Sequence, residues 1–219
     1  MARPRAAVSW SGGKDSCAAL QRARSAFDIE AMITMCDDDA GRSRSHGLRP
    51  EVLDAQAARL GLARIIGRCA SWSGYDAAFA GAVEEAASRG ITHVVFGDIL
   101  FEEHRRWAER ICAGAGLTAV EPLWGESTDA LFDEWVSSGS EAVIVTARAE
   151  FLDESWLGRA LRPEMFAELR QRGVDACGER GEYHTLVTGT PLFSAPLRWR
   201  SEGHVLRSGC WALDVVVEP

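Results

Sequence analysis

Ser11-Gly12-Gly13-Lys14-Asp15-Ser16 is the segment whose residue types and spacing point most directly to chemistry. It follows the apolar stretch Ala6-Ala7-Val8-Ser9-Trp10, which reads as a buried strand, and precedes Cys17 to Ala23, which reads as a helix. A strand, a glycine turn and a helix N-terminus together make an anion site. Gly12 and Gly13 let the backbone turn sharply and come close to a ligand. The free N–H groups of the first helical turn and the helix dipole favour negative charge. Lys14 adds a point charge, and the Ser11 and Ser16 hydroxyls can donate to phosphate oxygens. A polyphosphate nucleotide is the expected ligand. Asp15 reads either as a partner of the metal that accompanies such a nucleotide or as the cap of the helix.

A second concentration of reactive groups lies between Asp175 and Thr185. Cys177, Glu179, Glu182, Tyr183 and His184 fall within eight residues, with Gly178 and Gly181 allowing tight turns. Carboxylates there could position an amine or hold Mg²⁺, and Glu179 or Glu182 could take a proton from an attacking amine.

The loop is not of the Walker type, which spaces its glycines differently before Lys-Ser/Thr. Ser-Gly-Gly-x-Asp-Ser resembles the PP-loop of the ATP pyrophosphatase superfamily. That resemblance implies cleavage of ATP between the α and β phosphates, with an adenylate left on the substrate and pyrophosphate released.

The elements that must position these groups alternate along the chain. Strands are expected at 29–36, 63–66, 92–96, 118–121 and 142–146, and helices at 51–60, 75–89, 102–113 and 128–137. This rhythm predicts an α/β fold, a Rossmann-like parallel sheet with helices on both faces. Ligands of such sheets sit beyond the carboxyl ends of the strands. Met35, with Cys36 and Asp37, and Gly97 with Asp98 therefore join the loop as the rim of one nucleotide pocket. Main-chain groups near Met35 and Gly97 are expected to hold adenine, and Asp98 a metal. Arg105 and Arg106 read as a solvated helix face, and Trp124 and Trp156 as packing. The arginine-rich stretch 40–49 reads equally as a solvated loop or as a lid bringing Arg44, His46 and Arg49 to phosphates. Beyond residue 150 the rhythm gives way to a short helix from Arg162-Pro163 and strand-like stretches at 197–200 and 210–217, with a turn expected at Ser201-Glu202-Gly203. The expected division is an ATP-binding domain, 1–147, and a small α+β substrate-binding part, 148–219.

Net charge is −8 and the sequence pI about 5.2, against a broad nucleic-acid surface. No apolar run is long enough to span a membrane, and the N-terminus leads into a strand without an apolar signal segment, so a cytoplasmic location is expected. The six cysteines are scattered with no C-x-x-C pair, which argues against a zinc ribbon or a cysteine-bound iron–sulfur cluster and, Cys177 apart, for small apolar fillers.

Taken together, the two clusters resemble the diphthine–ammonia ligase family of ATP pyrophosphatases, and most of all its short bacterial-type relatives. The resemblance also takes in Ser45-His46-Gly47-Leu48-Arg49, Gly97-Asp98-Ile99, Glu102 to Arg106, Glu121-Pro122-Leu123-Trp124 and Phe151 to Gly158. It implies an N-terminal domain of the adenine nucleotide hydrolase type and a C-terminal part that holds the acyl substrate through Cys177, Gly178, Glu179, Gly181, Glu182, Tyr183 and His184. Lys14, Asp15, Glu179 and Glu182 would be the catalytic groups and ATP with Mg²⁺ the cofactors. A carboxylate, protein-borne or small, and ammonia would be the partners, with a homodimer as one assembly. The ligases usually carry Glu where this chain has His184. Three other readings stand beside the ligase: the same chemistry on a small-molecule carboxylate, a sulfur transferase using Cys177, and a non-catalytic ATP sensor.

Overall fold

The structure is a computed structural model, and it describes residues 2–39 and 41–218. Its elements in chain order are β1 (Arg5–Ser9), α1 (Lys14–Ala23), β2 (Asp28–Asp37), α2 (Pro50–Leu60), β3 (Ala63–Cys69), α3 (Tyr75–Ser88), β4 (His93–Val95), α4 (Glu102–Gly114), β5 (Thr118–Val120), α5 (Thr128–Ser137), β6 (Glu141–Arg148), α6 (Pro163–Gln171), β7 (Tyr183–Gly189), β8 (Trp199–Arg207) and β9 (Cys210–Val217). They divide between two compact units. The first takes residues 1–11, 15–44 and 61–125, and the second 12–14, 45–60 and 126–219.

The first unit is the expected parallel sheet, in the order β3-β2-β1-β4-β5. Ala6, Ala7 and Val8 are fully buried, as are Met32, Ile33 and Cys36 within rounding, so the middles of β1 and β2 read as apolar runs, interrupted by Thr34, because both faces are covered. β3, at one edge, alternates instead: Ile65 is buried and Ile66 exposed. On α3, Phe79, Ala82, Val83 and Ala86 follow helical spacing and pack with Ile33, Ile65 and Val94. Strand order reverses at β1, whose successor β2 lies on one side and whose later neighbour β4 lies on the other. The start of α1, at Asp15 and Ser16, and the carboxyl end of β4 meet at the switch point.

Gly97 is the residue that permits that meeting. A Cβ there would stand 2.7–2.8 Å from the backbone of Asp15 and Ser16. Backbone cannot yield as a flexible side chain could.

The second unit is built on an antiparallel sheet in the order β7-β6-β9-β8. This corrects the expectation for 142–146. That run is β6, and it pairs antiparallel with β7 and β9 rather than extending the parallel sheet. Four successive buried residues, Ala142 to Val145, satisfy a central strand of either kind, so periodicity alone could not choose. β7 itself, running out of the Cys177–Thr185 motif, was not anticipated. The expected turn at Ser201–Gly203 is a register shift within β8, and the chain reverses at Ser208 and Gly209, whose φ values of 48° and 78° suit a tight hairpin.

Replacing Gly97 by alanine is expected to cost about 1–3 kcal/mol of stability through this overpacking. Chemical denaturation of Gly97→Ala beside the parent measures it.

Candidate functional site

In the first unit, the site residues gather at the carboxyl edge of the parallel sheet. Ser11 and Ser16 face each other with hydroxyl oxygens 3.3 Å apart. Because α1 begins at Lys14, Asp15 stands inside the first helical turn, where its charge complements the dipole, and not at the capping position considered above. Met35 lies near the carboxyl end of β2. Its side chain is 7% exposed and packs on Gly67, and its carbonyl accepts from the Arg44 N–H at 3.0 Å, so its main chain is already engaged. Arg44 itself lies 4.8 Å over the Trp72 ring. Asp98 accepts from or shares a proton with His104 Nδ1 at 3.1 Å. Among the described residues no group of three or more His, Cys, Asp or Glu side chains is arranged to hold a metal. Asp98 could thus give a cation one carboxylate, with phosphates and water supplying the rest, which suits the way Mg²⁺ accompanies a nucleotide.

Glu121, just after β5, was named in the sequence reading as part of the family resemblance but given no role. Its side chain is 7% exposed, and one carboxyl oxygen is buried with no hydrogen-bond partner. The other is 3.4 Å from Arg105 Nε, and Arg105 also pairs with Glu109 and lies 5.1 Å over Trp124. Arg105, its side chain 39% exposed, meets the expected solvated face only in part, whereas Arg106, 76% exposed and paired with Glu102 along the helix, meets it fully. Burial, reinforced by Asp98, pushes the Glu121 carboxyl up to about 7. The available signal was a glutamate in a strand-end position beside Pro122 and Leu123.

In the second unit, the middle of the anion loop is bonded to β7. The Lys14 N–H donates to Thr185 Oγ1 at 3.0 Å, and the Val187 N–H donates to the Gly12 carbonyl at 2.9 Å. Gln56, fully buried on α2, donates to the carbonyls of both Gly12 (3.1 Å) and Val187 (2.9 Å). A polar residue on the otherwise apolar face of Val52, Leu53 and Ala57 was the sign of it. Gly12 has φ +93°, and a Cβ on Gly13 would meet the His46 ring at 2.4 Å. The Lys14 ammonium, 3% exposed, donates to the Cys177 carbonyl and lies 5.4 Å from the Tyr183 ring centre.

His46 is buried, with Nδ1 2.7 Å from the Thr185 carbonyl and its ring 4.7 Å from that of His184. Burial lowers its pKa to about 4, so near neutral pH it is an uncharged imidazole donating through Nδ1. It buttresses Gly13 as an uncharged ring. Arg49, the third arm of the supposed lid, forms a two-pronged pair with Asp214 at 2.8 and 2.6 Å. Ala40, the first residue of that segment, lies outside the described residues.

The acidic motif is mostly turned inward. Glu182, 1% exposed, accepts from the N–H groups of Asp175 (3.2 Å) and Arg180 (2.9 Å), so its carboxylate braces the loop and is not open as a base. Tyr183, also 1% exposed, donates its hydroxyl to the Ala176 carbonyl. Gly178 has φ +71° and touches the Tyr183 carbonyl, a contact that excludes a side chain. Cys177 is buried with Sγ 3.3 Å from the Thr128 carbonyl. Asp175, Glu179, Gly181 and His184 are the half-buried members of the motif.

Comparison with known proteins follows the same two segments. Residues 4–119 match the diphthamide synthase N-terminal domain and residues 127–209 the diphthamide synthase C-terminal domain. The chain belongs to the diphthamide synthase family. Relatives of the family named diphthine–ammonia ligase include the rat protein, 34% identical over 47% of this chain and 40% of its own length. The zebrafish protein is 36% identical over 46% of this chain and 41% of its own. The human one is 32% identical over 51% and 43%. The chain thus spans less than half the length of the curated relatives it matches. A solved structure described as a predicted subunit of tRNA methyltransferase from Methanocaldococcus jannaschii is 15% identical, covering 85% of this chain and 98% of that one with a TM-score of 0.44. Among the described residues no helix is long and apolar enough to cross a membrane.

Two titrations follow. A carboxyl raised from 4.5 to about 7 on folding stabilises fully below about pH 4.5, and its contribution fades as pH rises through 7. Stability of the parent should therefore fall between pH 5 and 8, by up to roughly 3 kcal/mol on this account. Glu121→Gln should flatten that fall in denaturation curves. His46, in contrast, should remain neutral on acidification to about pH 4, which its imidazole NMR shifts would report.

Proposed function

We propose that the protein is an ATP-dependent amide-forming ligase of the diphthine–ammonia ligase type. ATP lies with its phosphates on Ser11 to Ser16, where loop N–H groups, the two hydroxyls and Lys14 take up negative charge. Asp98 would hold Mg²⁺, with Asp15 as a further carboxylate partner, and the cation would supply charge neutralisation at the phosphates. A substrate carboxylate oxygen attacks the α-phosphorus, the bond to the bridging oxygen breaks, and pyrophosphate leaves. Ammonia then attacks the acyl carbon of the mixed anhydride, AMP leaves, and a proton from nitrogen passes to a base. With Glu182 committed to the loop, Glu179 is the motif's remaining candidate for that base. Catalysis of this kind is positioning and charge stabilisation more than covalent chemistry by the protein.

The observation that carries the reading is the bonding of Gly12 and Lys14 to Val187, Thr185 and Cys177. The phosphate loop and the acyl motif share hydrogen bonds, which supports transfer of an adenylyl group from ATP to a carboxylate held by that motif. Family membership supports it, since the named relatives are ligases. A second reading keeps the chemistry with a small-molecule carboxylate. His184 favours it, placing an imidazole against His46 where the ligases usually carry an anion.

Product analysis of ATP turnover with Mg²⁺, ammonium and a panel of carboxylates, diphthine-bearing elongation factor 2 among them, tests both readings. AMP with pyrophosphate is expected, and the carboxylate that stimulates it separates them. ADP with phosphate would overturn the adenylation chemistry. Lys14→Ala should lower pyrophosphate release by at least about a hundredfold, as loss of a charge aimed at the transition state does.

A further inference from the structure

We infer that Asp175 is a positioning residue for Lys14, acting through the Cys177 carbonyl. The inference rests on the nucleotide reading of the anion loop and deepens it. It assigns the most acidic stretch of the second motif to presetting the phosphate-binding lysine.

Asp175 uses both carboxylate oxygens. Oδ1 accepts from the N–H groups of Cys177 (2.8 Å) and Glu179 (3.2 Å), and Oδ2 accepts from the Thr128 hydroxyl (2.8 Å) at the start of α5. Its own N–H donates to Glu182, whose second oxygen takes the Arg180 N–H. Two carboxylates thus gather five donors from α5 and the 175–182 loop. Two turns close the loop further: the Gly178 N–H donates to the Asp175 carbonyl (3.0 Å) and the Gly181 N–H to the Gly178 carbonyl (2.9 Å). The amide of Cys177 is held on its N–H side by Asp175, and its carbonyl is the acceptor of the Lys14 ammonium.

A buried ammonium needs acceptors in fixed places, because each lost partner leaves a desolvated charge. A carbonyl on a glycine-rich loop would wander without the aspartate, and Lys14 would wander with it. Charge-assisted bonds from backbone N–H to carboxylate are the stronger kind, which suits them to this task. The acidic side chains of the motif would then act on the nucleotide at one remove. The carboxylates of Asp175 and Glu182 face the loop's own N–H groups and the Thr128 hydroxyl, so these two do not set negative charge against phosphate.

The test is a double-mutant cycle on the full chain, reading MgATP affinity by calorimetry with melting temperature and adenosine affinity alongside. Asp175→Ala is expected to weaken MgATP about tenfold and leave adenosine, which has no phosphate, unchanged. Asp175→Asn should recover most of that loss, since its amide oxygen can still accept both backbone N–H groups. In a Lys14→Ala background, Asp175→Ala should bring no further weakening, because the lysine through which it acts is gone. Additive losses in the double variant, equal losses for adenosine, or parent-like affinity in Asp175→Ala would each overturn the inference. Should Asp175→Ala fail to fold, Thr128→Val removes the Oδ2 anchor alone, and its expected threefold weakening of MgATP must likewise vanish in the Lys14→Ala background. A parent chain that does not bind MgATP would overturn the nucleotide reading itself, and this inference with it, before any substitution is made.

Discussion

The hydrogen bonds between the anion loop and β7 are the constraint from which most of the second unit's arrangement follows. Gly12 offers its carbonyl to Val187 and Gln56, and Lys14 offers its N–H to the Thr185 hydroxyl. Backbone groups this deeply buried must be paired, and here side chains and a strand edge pair them. The conformation that results is one only glycine tolerates at position 12. It also draws Gly13 so close to His46 that no side chain fits between them. The neutral state of His46 is a consequence of the same packing, since an imidazolium against Lys14 without solvent would be costly.

A related demand governs the first unit. A doubly wound sheet reverses its strand order at β1, and the space beyond that reversal is where a ligand can be reached from both sides. Gly97 allows backbone to approach backbone at this place. Around it stand groups of unequal commitment. Asp98 has His104, Arg105 is divided among Glu109, Glu121 and Trp124, and Glu121 keeps one oxygen unpaired. A buried carboxyl with an unpaired oxygen is a local debit against stability, and such debits concentrate where structure serves function.

Cysteine chemistry has a small place in this picture. All six cysteines are unbridged and five are buried, which agrees with their reading as apolar fillers. Cys177 differs in that its backbone carries the contact to Lys14 while its sulfur points to Thr128. Its importance in the motif lies in main-chain geometry more than in a reactive thiol.

Local pattern alone determined the first half of the fold and the identity of the anion loop. Buried parallel strands announce themselves as apolar runs, amphipathic helices by their spacing, and Ser11 to Ser16 by glycine, charge and hydroxyl at fixed offsets, all within a few residues of one another. The Asp175–Thr185 motif was legible as chemistry for the same reason. What its residues do was decided by partners far away in sequence. Glu182 and Asp175 turned inward because backbone N–H groups of their own loop and Thr128 needed acceptors. His46 lost its charge because burial, with Lys14 nearby, disfavours the imidazolium. Met35 gave its side chain to the core, and β6 joined an antiparallel sheet though its sequence suits a parallel one equally. A residue type sets which bonds a side chain can make. Only tertiary structure settles which it makes, because burial and long-range pairing fix the free energy of each alternative.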